Sequence, residues 1–229
     1  MPRYRFLDAL TTAFVVILLV SNLLAQKLCR IGPFTISAAM LLFPITYIFG
    51  DIFTEIYGYA ASRRAIWLGF FGTALLWATA ALALALPPDP RWHNQAAFIT
   101  VFNFLPRMLA ASLVSFFAGE FANSYVMARL KVETKGRFLW TRTVGSTVVG
   151  QAIDTVLFMY LTFGGVYPNS LILNIILLNY VLKVAYEVLA TPLTYAVVGW
   201  LKRAEGTEAF DAHTDFNPFH FADKPSPTL

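Results

Sequence analysis

The 229 residues are 58% hydrophobic and only 13% charged, with 17 Lys and Arg against 13 Asp and Glu. A soluble domain carries about a quarter charged residues, so this balance excludes a water-solvated globular surface. The lone Cys29 excludes an intramolecular disulfide and a cysteine-based metal site, and the basic residues are sorted by loop rather than gathered into a nucleic-acid-binding patch.

A transmembrane helix needs roughly 20 mainly apolar residues at about 1.5 Å rise each, and such stretches recur along the chain. The first, residues 7–26, lacks a small-residue cleavage site and reads as a retained helix rather than a removable signal peptide. Asn22 and Gln26 lie four apart toward its outer end. The second, 33–57, carries Asp51 and Glu55 on one helix face and is interrupted by Pro44, which removes a helical hydrogen bond. The third is 65–86. The segment 87–103 that follows is long for a loop and alternates polar and aromatic residues, so it either lies flat on the membrane or folds back as a gate. The fourth span, 105–130, holds Glu120 with Asn123 three residues on; the fifth, 139–163, holds Gln151 and Asp154. The sixth, 171–201, repeats Asn179, Lys183 and Glu187 at four-residue spacing and contains Pro192. The expectation is an all-α polytopic membrane protein of six transmembrane helices. Residues 1–204 form the membrane domain, and 205–229 form a polar cytoplasmic tail that is loosely tied down.

Short cytoplasmic loops retain Lys and Arg. Twelve of these residues fall at the N-terminus, in the second and fourth loops and in the tail, against only Lys27, Arg30, Arg91 and Arg107 on the other side. Both termini are therefore expected in the cytoplasm. Trp67, Trp140 and Trp200 fall near span ends and Trp92 in an outer loop, the half-wet positions that indole prefers, leaving Trp77 as the buried one.

A charge at the bilayer centre costs about 3 kcal/mol even on a lenient scale. Polar faces on five spans are best accommodated if they converge on one axis. With Asp8, Arg129 and Arg142 counted to the span ends and loops, the spans hold five acids (Asp51, Glu55, Glu120, Asp154, Glu187) and two bases (Arg107, Lys183), so full ionisation leaves three negative charges without a counter-ion. Some acids are then protonated, or a cation enters the cavity; both suit a transporter. Asp154 is the expected partner of Lys183. The plainer alternative is a set of interhelical polar contacts with no ligand, each worth about 1 kcal/mol.

The ordered blocks resemble the queuosine precursor transporters, a vitamin-uptake-type family. They are Ser21-Asn22, Phe43 to Tyr47 leading to Asp51, Glu55, Tyr57 and Gly58, then Ala118-Gly119-Glu120 and Arg142 to Thr147. Gly150-Gln151, Asp154-Thr155, Lys183 to Glu187, Thr191 to Tyr195 and Lys202-Arg203 complete the set. The resemblance implies six membrane helices arranged like the substrate-binding subunits of energy-coupling-factor importers. It also implies a bacterial inner-membrane location and uptake of queuine or 7-deazaguanine precursors, with no cofactor. A 7-deazaguanine presents N1–H and a 2-amino group on one edge, which a carboxylate of Asp51, Glu55, Glu120 or Asp154 accepts together. Its 6-oxo group needs a donor, for which Gln151, Asn123, Asn22 and Lys183 qualify. Phe43, Tyr47, Phe158 and Tyr186 are in range to stack on the base. The candidate substrate-binding set is thus Asn22, Gln26, Tyr47, Asp51, Glu55, Glu120, Asn123, Gln151, Asp154, Lys183 and Glu187.

Two other readings stand beside this one. The chain could be the binding subunit of an ATP-driven importer, for which Ala9 and Ala13 offer a small-residue contact face. No G-x-x-x-x-G-K-[ST] stretch occurs, so ATP use would need another chain; the preferred reading requires no such partner and leaves a homodimer open. An intramembrane enzyme is the second. Tyr47 and Asp51 have the wrong spacing for an aspartyl protease, no G-x-G-D partner motif is present, and His93, His213 and His220 are scattered outside the spans.

Overall fold

The computed structural model describes residues 4–24, 27–31, 34–102, 106–206, 209–212 and 214–220. Helix α1 (Leu7–Leu24) leads to an antiparallel hairpin of β1 (Leu28–Ile31) and β2 (Phe34–Ser37), with Leu28 opposite Ser37 and Ile31 opposite Phe34. A 3₁₀ turn (Ala38–Leu41), the short α2 (Phe43–Ile52) and a π-helical turn (Phe53–Tyr57) follow. The chain then runs through α3 (Tyr59–Ala85), α4 (Gln95–Phe102), α5 (Pro106–Glu133), α6 (Leu139–Phe163) and α7 (Asn169–Glu205).

The expected second span is therefore not one helix. Its first residues, Phe34–Ser37, are an alternating β-branched run that pairs as a strand. Pro44 sits in the first turn of α2, where its missing N–H costs nothing, rather than kinking a continuous helix. Gly58, at φ +83°, closes the segment in a conformation that only glycine adopts freely. Pro192, by contrast, stays inside continuous α7. The expected segment 87–103 contains α4, and α4 buries none of its residues.

Among the described residues four helices, α1, α3, α6 and α7, are long and apolar enough to cross a membrane. Their outward residues, such as Leu75 and Leu82 on α3 and Leu177, Leu178 and Leu189 on α7, are exposed large apolar side chains of the kind that lipid solvates. Helix α5 is as long as these but carries Arg107, Glu120, Arg129, Lys131 and Glu133. Most of its polar middle faces inward: Ser115, Glu120, Asn123 and Ser124 are all buried.

The most extensive packing joins α5 to α6, and glycine permits it. A Cβ on Gly119 would lie 2.7 Å from Asp154 Cβ, and one on Gly150 would lie 2.8 Å from Asn123 Cβ and 2.9 Å from the Gly119 carbonyl. These small residues let the two backbones touch, and the contact sets the positions of Asn123 and Asp154. Gly150→Val is expected to destabilise by about 1–3 kcal/mol through overpacking. Gly199→Ala, with nothing within 4 Å of the added methyl, is expected to be neutral or slightly stabilising. Thermal melting of both variants in detergent checks the contrast.

The described tail residues, 209–212 and 214–220, are docked on the bundle rather than loosely tied. Asp211, 2% exposed, accepts the first α3 amide, Tyr59 N, at 3.0 Å, a tertiary cap on that helix. Arg63 donates to the carbonyls of Asp215 (3.1 Å) and Asn217 (2.9 Å), and Trp67 Nε1 to that of Pro218 (2.8 Å). Phe216 packs on Tyr59 and Tyr125. The hydrogen bond from His220 Nδ1 (2.5 Å), helped by the Asn217 amide, holds the Asp215 carboxyl below the usual range. Glu205, at the end of α7, accepts the amides of Arg5 and Phe6 at 2.9 and 2.8 Å, closing the ring back to the start of α1.

Candidate functional site

A cavity of about 280 Å³ lies among α1, α3, α5, α6 and α7, with Ala39 from the 3₁₀ turn at its wall. Its lining residues Asn22, Ser112 and Met159 fall near the ends of their helices remote from the basic loops, so the cavity occupies the hairpin half of the bundle. The ion pair on its wall is Lys183 with Asp154: Nζ lies 2.7 Å from Oδ2 and 3.3 Å from Thr155 Oγ1. Both side chains keep some access to the cavity, at 21% and 15% exposure. Phe158 supplies an aromatic face and Asn22 an amide. Asp154 is thus the partner that sequence reasoning paired with Lys183.

Behind this wall lies a second, closed group. Asp51 (α2), Glu120 and Asn123 (α5), Gln151 (α6) and Glu187 (α7) are all buried, and Tyr47 joins them. Asp51 Oδ1 accepts from Asn123 Nδ2 at 3.3 Å. Glu187 stands within hydrogen-bonding reach of Asp51, and Gln151 within reach of Tyr47. Glu120 presses on α2 beside Asp51: a Cβ on Gly50 would lie 3.2 Å from its Oε2.

Glu55 is in neither group. It is wholly buried in the π turn and holds three cations. Arg142 grips it with Nε at 3.0 Å and NH2 at 2.7 Å, Lys202 Nζ approaches Oε1 to 2.7 Å, and Lys131 reaches Oε1 at 3.5 Å and also donates to the Glu55 carbonyl. Arg142 further donates to the Arg137 carbonyl at 2.5 Å. Counting only two bases against five acids therefore misses Lys131, Arg142 and Lys202 at the basic ends of the spans, which reach inward to neutralise Glu55. Arg107 does not serve that balance: it donates to the carbonyls of Leu161 and Gly164 at the C-terminal end of α6, each at 2.6 Å, where helix polarity favours a cation.

Of the expected set, then, Asn22, Asp154 and Lys183 line the cavity, together with Phe158. Tyr47, Asp51, Glu120, Asn123, Gln151 and Glu187 form the buried group behind it, Glu55 forms the basic cluster, and Gln26 lies outside the described residues. The side chain of Phe43 is likewise outside them, and Tyr186 is not among the lining residues. The candidate set left out Ser21, Thr73, Ser112, Ser115, Thr155 and Asn179, which also line the cavity. Ser and Thr are common in membrane helices, where they satisfy their own backbone, so only their convergence distinguishes them.

Several helices long and apolar enough to cross a membrane, around a cavity with an ion pair on its wall, are the features of a multi-pass membrane protein. Residues 37–197 match the family described as "Putative vitamin uptake transporter", and the chain belongs to that family. It is 31% identical over 177 residues to a protein of Bacillus subtilis named "Probable queuosine precursor transporter", covering 77% of each chain. It is 24% identical over 161 residues to the "Queuosine precursor transporter" of Escherichia coli, covering 70% of each. Both relatives are named as transporters. No solved structure matches the chain.

Proposed function

We propose that this protein imports queuosine precursors, 7-deazaguanine bases or queuine, across a bacterial cytoplasmic membrane. The observation that carries the reading is the Asp154–Lys183 pair on the wall of a cavity of about 280 Å³, in a family of transporters. That volume is near the lower end of ligand pockets, about 300–1,000 Å³, and suits a single bicyclic base. Asp154 offers two oxygens to N1–H and the 2-amino group, Lys183 donates to the 6-oxo oxygen, and Phe158 stacks on the ring. The pair satisfies itself in the empty cavity, so neither charge is left bare when no base is bound.

The six-span expectation is carried by α1, the segment from the 3₁₀ turn through the π turn, α3, α5, α6 and α7. Residues 43–57 alone cover about 22 Å at 1.5 Å per residue, and the 3₁₀ turn supplies most of the remaining depth. An arrangement like energy-coupling-factor binding subunits is part of the same proposal. The basic-loop count supports both termini in the cytoplasm. The cavity then lies in the outer half, with the Glu55 cluster and the docked tail closing the inner end. Transport without an ATP-driven partner is part of the same proposal, and a homodimer is compatible with it.

The function is tested by uptake of labelled 7-deazaguanine bases into cells lacking their own synthesis and import. Expression should restore accumulation and tRNA modification, and failure with every base offered would overturn the substrate class. Orientation is tested separately with reporter fusions. One placed after Leu229 is expected to be active in the cytoplasm, and one within residues 87–102 outside; the reverse pattern would move the cavity to the inner face.

A further inference from the structure

The group behind the cavity wall has a property the ion pair lacks. Asp51 and Glu187 come within hydrogen-bonding reach of one another, and both are 0% exposed. Among the described residues Asp51 Oδ2 and both oxygens of Glu187 receive no hydrogen bond; the one donor to the pair is Asn123, on Asp51 Oδ1. Two carboxylates have no donor to offer each other unless a proton sits between them. Closely paired carboxylates in other proteins share one proton for this reason.

Every element around the pair repeats the pattern. From α5, Glu120 keeps Oε2 without a hydrogen bond; from α6, Gln151 is 4% exposed and leaves Oε1 unfilled. Tyr47 of α2 lies in electrostatic range of Asp154, Glu120 and Glu187. The cation on this side is Lys183, which is already held by Asp154. Glu55, the other acid facing Asp51, carries its own three cations.

We propose that Asp51 and Glu187 form a proton-binding site, distinct from the substrate-facing Asp154–Lys183 pair, and that import is coupled to the proton held there. This deepens the transport reading and rests on it for coupling, though not for the site itself. Glu120 is the link: it lies in electrostatic range of Asp154, Lys183 and Glu187. When a base takes the Asp154 carboxylate and turns Lys183 to its 6-oxo oxygen, the ammonium no longer compensates Glu120. The buried group then holds its proton more tightly, so base and proton bind together and cross together.

Two measurements separate the site from the transport. Infrared difference spectroscopy of the purified protein, titrated without substrate, should show the C=O stretch of a protonated carboxyl group near neutral pH, lost in Glu187→Gln and in Asp51→Asn. Absence of that band in the folded wild-type protein overturns the site whatever the protein carries. In proteoliposomes containing this protein alone, an inward pH gradient should raise accumulation of a labelled 7-deazaguanine several-fold over equilibration, and Glu187→Gln should remove that gain. Accumulation that follows a sodium gradient, or equilibration indifferent to pH, overturns the coupling. Failure of the wild type to move any base while the carboxyl band is present would instead overturn the transport reading.

Discussion

Asp154→Asn and Lys183→Met are each expected to lower uptake about 30-fold or more while the protein still inserts and purifies. Each substitution leaves the other member of the pair facing the cavity wall without its counter-charge. Truncating one partner of a desolvated, hydrogen-bonded charge pair costs about 2–5 kcal/mol. The pair is part-exposed to the cavity, so the lower figure applies, and at 1.36 kcal/mol per tenfold it gives about that loss. The exchange variant, Asp154→Lys with Lys183→Asp, tells binding from scaffolding. It restores opposite charges across the same contact, so melting in detergent should recover toward wild type. Uptake should not, because acceptor and donor have traded places relative to the edge of the base. Wild-type uptake by both single variants would mean that the pair only holds α6 to α7.

Glu55→Ala should be the most destabilising single substitution at the basic end. It removes the one carboxylate on which Arg142, Lys131 and Lys202 converge. Arg142 and Lys131 are each 1% exposed, so water cannot replace what is lost. Breaking a buried ion pair from one side costs about 3–5 kcal/mol, and at about 2–4 °C per kcal/mol the melting temperature should fall by on the order of 10 °C. Because the cluster ties the π turn to α5, α6 and α7, the same variant should expose the basic end to protease. Unchanged melting would show that the three cations are satisfied elsewhere, by contacts such as the Arg142 bond to the Arg137 carbonyl or the Lys131 contact over the Phe210 ring.

The sequence by itself determined that this is a membrane protein and roughly where its long apolar helices run. Hydrophobic runs at membrane length are a local property, read correctly without knowing the neighbours, and α1, α3, α6 and α7 fall on runs so identified. The partnership of Lys183 with Asp154 was legible for a related reason: of the two bases counted in the spans, Lys183 lies deep within one and needs an acid from another. Tertiary structure alone decided how the remaining charges divide. Glu55 and Asp51 lie four apart and share a helical face in the sequence, yet the π turn begins between them at Phe53 and sends Glu55 to the basic end. Asp51 stays with Glu187, from a helix more than a hundred residues away. A periodic pattern fixes a face only while the helix stays regular, and a wider turn changes the angle per residue. The docked tail was equally hidden. Its polar, proline-containing composition reads as a loose extension, but Asp211 and Phe216 have partners on α3 and α5 that no local pattern announces. Burial of a charged residue depends on which distant groups reach it, and that information exists only once the chain has folded.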